Sequence, residues 1–140
     1  MTRNLPTEQN LKERWDRFFQ AFSDDEFSPS DFDKGNEETV DELDPINDVI
    51  ADSKRIGVYY FMDERKHVLY VGSADVAFGN RFWAHYKKIK DDRNKYGWER
   101  ATYFRSRPLR QAIESDKRRY ARALEAYLIV TLSPPLNRRV

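Results

Sequence analysis

RIGVYYFMDERKHVLYVGS, residues 55–73, is the stretch on which the reading of this chain turns. Two runs rich in β-branched and aromatic residues flank a short polar segment, the pattern of a β-hairpin. A turn placed symmetrically about the Glu64–Arg65 bond sets Tyr59 directly opposite Tyr70. Cross-strand partners project from one sheet face, so the two phenols are expected side by side.

Downstream of the hairpin, residues 75–90 carry Phe82, Tyr86 and Ile89 at helical spacing, with Arg81, His85 and Lys88 together on the adjacent stripe. ERATYFRS, residues 99–106, reads as a third strand, and Pro108 is expected to open a helical turn. A long helix follows from Ser115 to about Leu132, ended by Pro134–Pro135. The order is strand, strand, helix, strand, helix.

Upstream, Leu11, Trp15, Phe18, Phe19 and Phe22 recur with the period of one helical face, and Thr7 is the expected N-cap. SDDEFSPSDFDKGNEETVDELD reads as an acidic linker of low order that Phe22, Phe27 and Phe32 can dock. A short helix is expected next, with Asp44 as N-cap, Pro45 at its first position and Ile46, Val49 and Ile50 on one side. The chain thus divides into an acidic N-terminal extension with an amphipathic helix, 1–52, and a domain over 53–140.

The 140 residues suffice for one domain with its own core. No apolar run reaches membrane-spanning length and the first residues lack a secretory layout, so a soluble cytoplasmic protein is expected, with no membrane partner. Zero cysteines exclude disulfides and thiolate zinc sites, and two histidines, His67 and His85, are too few for a histidine cage. Any metal must be a hard ion on oxygen ligands.

The net charge of +1 conceals a separation of signs: residues 1–52 carry 15 acidic and 5 basic side chains, residues 53–140 carry 9 and 20. The second part has the balance of a nucleic-acid binder, because lysine and arginine displace counterions from phosphates. Lys87, Lys88, Lys90 and Arg93 are its candidate DNA contacts. The acidic extension then has two readings: a phosphate mimic or partner handle that dampens non-specific DNA binding, or a helix that completes the core.

Taken singly, the candidates for chemistry have plainer roles. A strand tyrosine is usually a packing residue, and Arg81 can cover apolar surface with its stem. Glu125 stands out as the sole charge in ALEAYLIVTL, residues 123–132, where an unpaired carboxylate is expensive unless an arginine or a metal meets it.

Together, GVYYF at 57–61, YVGS at 70–73, Arg81 and His85 four apart, Glu125 inside an apolar helix and Asn137 after a proline resemble the GIY-YIG nuclease family in type, order and spacing. Valine stands where the family tripeptides have isoleucine, and a second histidine found in some members is missing. The resemblance implies an α+β fold, a small three-stranded antiparallel sheet flanked by helices. It also implies hydrolysis of DNA phosphodiesters with one divalent ion, Mg2+ or alternatively Mn2+, anchored by Glu125 alone. Arg81 would then brace the scissile phosphate. Tyr59, helped by His85, would accept the proton of the attacking water, and Tyr70 would orient water or phosphate. Gly72 would permit close backbone approach, and Asn137 would tie the C-terminal loop to the catalytic face. The alternatives are an inactive nucleic-acid-binding module of the same fold and a protein-interaction domain using the aromatic helix.

Overall fold

The computed structural model describes residues 4–21, 29, 32, 37–39, 57–74, 100–108 and 114–138. They form an α+β fold in the order α1 (Glu8–Ala21), β1 (Glu37–Thr39), β2 (Gly57–Met62), β3 (Val68–Ala74), β4 (Tyr103–Pro108) and α2 (Glu114–Leu132), closed by a 3-10 turn over Pro135–Arg138. The expected helices over 75–90 and 44–50 lie outside the described residues.

The three expected strands pair antiparallel, and β1 adds a short fourth at one edge, giving the order β1-β4-β2-β3. Three residues of the acidic stretch read as a linker are therefore strand. Glu37 holds them in place, its carboxylate accepting from Arg105 at 3.3 Å and from the Lys66 ammonium. That ammonium, with Arg105 behind it, holds the Glu37 carboxyl below its usual range despite some desolvation. β4 begins later than expected, at Tyr103, and runs through Pro108 instead of yielding to a helical turn there. Proline is tolerated because the pairing of β1 with β4 ends at Arg105, so that among the described residues Pro108 has a strand on one side only, as at a sheet edge.

The hairpin register is shifted by two residues from the expected one: Tyr59 pairs with Gly72, and Phe61 with Tyr70. Two local features cause this. The turn runs over Asp63–His67, with Lys66 donating to the Asp63 carbonyl at 3.0 Å and adopting a φ of 64°. Such a turn with a left-handed residue is one standard way to close a three-residue hairpin loop. The Asp63 carboxylate fixes it, accepting from the Arg65 and His67 amides at 2.9 and 2.8 Å. The second feature is a bulge: Met62 pairs with Val68 while Phe61 pairs with Tyr70, which leaves Leu69 as an extra residue. Each feature displaces the register by one, and together they preserve the face of every side chain.

Both faces of β2 are buried from Gly57 to Met62. One face, with Val58, Tyr60, Met62 and Val71, shares a core with Leu11, Trp15 and Phe18 of α1, with Phe32, and with Ala121, Leu124, Leu128 and Leu132 of α2. The aromatic stripe of α1 thus completes the core, and Phe32 docks the extension as expected, its ring 4.8 Å from that of Trp15. α1 starts where the sequence requires: Thr7 Oγ accepts from the Asn10 amide at 3.1 Å while Asn10 Oδ1 accepts from the Thr7 amide at 3.0 Å, a reciprocal capping box.

Polar links reinforce this joint. Glu8 accepts from the Tyr60 hydroxyl at 2.9 Å and from Arg105 Nε at 3.1 Å. Burial, then the Glu8 charge, push the Tyr60 phenol far above its ordinary pKa. Arg107 lies 4.8 Å from the Trp15 ring, and burial lowers its own pKa.

Candidate functional site

The second face of the hairpin carries Tyr59, Phe61, Tyr70 and Gly72, with Phe104 from β4. Tyr59 and Tyr70 are diagonal neighbours on this face, ring centroids 6.3 Å apart, and not the direct partners that a symmetric turn gives. Their phenols still share one side, as the sequence requires, because the register moved by an even number.

Gly72 has a specific reason to be glycine. A Cβ there would lie 2.6 Å from Tyr59 Cζ and 2.7 Å from its hydroxyl oxygen. The close approach at Gly72 is made by the Tyr59 side chain and not by backbone, the phenol end packing against the glycine of the neighbouring strand. Tyr59 is consequently 0% exposed. Tyr70 keeps part of its surface in solvent.

Glu125 arrives from the other side. Ala121, Leu124 and Leu128 of α2 face the sheet, and Glu125, one position from that row, is half-buried. Among the described residues its hydrogen-bond partner is Ser73 Oγ, which donates to Oε1 at 2.8 Å. The salt bridge to arginine weighed from sequence is not among the described ion pairs. Ser73 itself is 2% exposed and sits on the Val71 side of β3, facing α2.

Asn137 closes the arrangement. α2 ends with Ser133 at a φ of 50°, its amide donating to the Ile129 carbonyl at 2.8 Å, a left-handed C-cap that turns the chain back. The 3-10 turn then carries Asn137 to β3, where Oδ1 accepts from the Val71 amide and Nδ2 donates to the Val71 carbonyl, both at 2.8 Å. The side-chain amide satisfies the edge strand as a further strand would. At the other end of β3 the Pro6 carbonyl accepts from the Val68 amide at 2.7 Å.

The described site residues therefore engage residues 70–73 of β3 from different sides: Tyr59 and Tyr70 on one face, Glu125 through Ser73 on the other, Asn137 at the edge, so the two phenols and the carboxylate do not share a face. Arg81, His85, Lys87, Lys88, Lys90 and Arg93 lie outside the described residues. Among the described residues no three acidic or histidine side chains cluster as a metal cage. A site built on one carboxylate needs no such cluster. Glu125 fits that case, since Ser73 engages one oxygen and Oε2 has no hydrogen-bond partner among the described residues.

Ser73 escaped the sequence reading of roles, although its period-two placement beside Val71 was a usable signal. Comparison with protein-family models, with curated proteins and with solved structures finds no match for this chain.

Proposed function

We propose that the chain is a divalent-metal-dependent DNA endonuclease whose chemistry takes place at residues 70–73. What supports this is Glu125, a half-buried carboxylate in an otherwise apolar stretch of α2 that Ser73 of β3 engages through one oxygen. Helix–sheet packing does not call for a carboxylate at 125; an alanine or leucine would satisfy it. Instead Glu125 offers one oxygen engaged by Ser73 and one with no hydrogen-bond partner among the described residues, a donor set suited to Mg2+, or Mn2+ in its place, which retain most of their waters on a single carboxylate. When bound, such an ion neutralises phosphate charge and acidifies a coordinated water.

The remaining residues divide the work by exposure. A proton acceptor must come within hydrogen-bond reach of the attacking water. Tyr70 is the less buried of the two tyrosines and Tyr59 is fully enclosed, which favours Tyr70 for that role over Tyr59, the expectation from sequence. Tyr59 is the support beneath it, held against Gly72. Asn137 holds the strand. Arg81 and His85 belong to the same reading as phosphate brace and proton relay, and Lys87, Lys88, Lys90 and Arg93 as the DNA track.

Conversion of supercoiled plasmid to nicked or linear DNA with Mg2+, and its suppression by chelator, tests the reading directly. Glu125→Gln preserves volume and helix, so it should abolish cleavage and leave DNA affinity unchanged. Cleavage by Glu125→Gln at the wild-type rate would remove the metal anchor and the proposal with it.

A further inference from the structure

Ser73 is a buried hydroxyl on a strand face otherwise given to Val71 and the apolar row of α2. Packing alone would favour alanine or valine there, because a buried hydroxyl needs a partner to offset its lost hydration. Its partner is the Glu125 carboxylate, at a separation normal for a hydroxyl donating to a charged oxygen. A glutamate on a helix has three rotatable bonds, so an unrestrained Glu125 would have to be ordered before it could hold an ion. The hydrogen bond to Oε1 restrains the carboxylate and leaves Oε2 without a hydrogen-bond partner among the described residues.

The strand that carries Ser73 is itself fixed. Two residues earlier, Asn137 binds both backbone groups of Val71. α2 therefore grips β3 twice, directly through Glu125 and, after the turn at Ser133, through Asn137. Carboxylate and hydroxyl are brought together by a closed circuit of chain.

We propose that Ser73 is a positioning residue for metal binding: its hydroxyl orients Glu125 so that Oε2 faces the ion. This rests on the nuclease reading of the site. Groups of this kind behind a metal ligand typically change affinity by about 10–100-fold when removed.

The test is a Mn2+ titration of the full chain followed by electron paramagnetic resonance, with Mn2+ alone as the probe, on wild type, Ser73→Ala, Ser73→Thr, Glu125→Gln and the Ser73→Ala/Glu125→Gln pair. Ser73→Ala should weaken Mn2+ binding roughly tenfold or more. Ser73→Thr, which keeps the hydroxyl, should restore it, and adding Ser73→Ala to Glu125→Gln should change nothing further, because Ser73 acts through the carboxylate. If Ser73→Ala does not fold, Ser73→Cys, of similar size but with a weak donor, carries the test with the same expected loss. Wild-type Mn2+ affinity in the folded Ser73 variant, with binding lost in Glu125→Gln, overturns the positioning role and leaves the nuclease reading standing. Wild-type affinity in Glu125→Gln overturns the metal reading itself, and the role of Ser73 falls with it.

Discussion

Tyr59 and Tyr60 are consecutive, both are buried, and they belong to different parts of the molecule. Tyr60 points into the core between α1 and α2, where its hydroxyl is tied to Glu8 and Arg105 holds the same carboxylate. Tyr59 points to the opposite face, its ring against Gly72 and beside Tyr70. The first face is closed by helices whose apolar rows were written for it. The second presents aromatic groups beside the strand that Glu125 and Asn137 hold. One strand thus separates two buried faces, one packed on α1 and α2 and one packed from aromatic rings of the sheet itself.

The contrast is broken most severely from the helix side. Trp15 is 4% exposed and packs on Phe32 and Arg107. Trp15→Ala should cost roughly 3–5 kcal/mol of stability in a denaturant titration. DNA cleavage should fall only as far as the folded fraction falls. Gly72→Ala attacks the other face. The new methyl meets the Tyr59 ring, which has no solvent to move into, so a loss of about 1–3 kcal/mol is expected from chemical denaturation. Here cleavage should fall by more than the folded fraction does, because the displaced ring adjoins Tyr70.

A finer comparison sets the two tyrosines of that face against each other. Tyr70→Phe should slow cleavage at least tenfold, about 1.4 kcal/mol in the barrier, with an unchanged melting temperature. Tyr59→Phe should slow it less. The reverse order in single-turnover rates would return the proton-acceptor role to Tyr59.

The mildest change is Tyr60→Phe, expected to cost about 1 kcal/mol because Glu8 keeps Arg105. It also carries a pH signature. The folded-state pKa of Tyr60 lies above its unfolded value, so the folded chain holds the phenolic proton more tightly. The stabilisation is complete below the unfolded pKa of about 10 and is lost as pH rises beyond it. Wild type should therefore lose stability more steeply than Tyr60→Phe above about pH 10. Parallel alkaline titrations of the two would refute the linkage.

What was legible in the sequence were the features carried by periodicity and by single special residues. The Leu11–Trp15–Phe18 stripe, the Thr7 cap, the two hairpin strands and the long helix around Leu124 and Leu128 all announce themselves, whereas Asn137, expected from the resemblance to tie the C-terminal loop to the catalytic face, binds the Val71 backbone. What was hidden depends on partners distant in sequence. Glu37 in an acidic run looks like linker until Lys66 and Arg105 are seen opposite it. Ser73 looks incidental until α2 sets Glu125 above it. The hairpin register escaped because Lys66 supplies a left-handed turn residue without being glycine, and because a bulge at Leu69 has no sequence mark.

Leu69 has a further consequence for how this hairpin tolerates change. The strand alternates with a period of two, so the bulge acts as a phase correction: it returns Tyr70 and Gly72 to the side of Tyr59, and Val71 and Ser73 to the side of α2. Deleting that one residue, or adding one to the Asp63–His67 loop, would invert every position after it. The tyrosine would be driven toward the helix and the serine away from its carboxylate. Two such changes made together would cancel. Length variation in the hairpin is therefore admissible in pairs, and a single-residue indel there is equivalent to exchanging the two faces of the sheet.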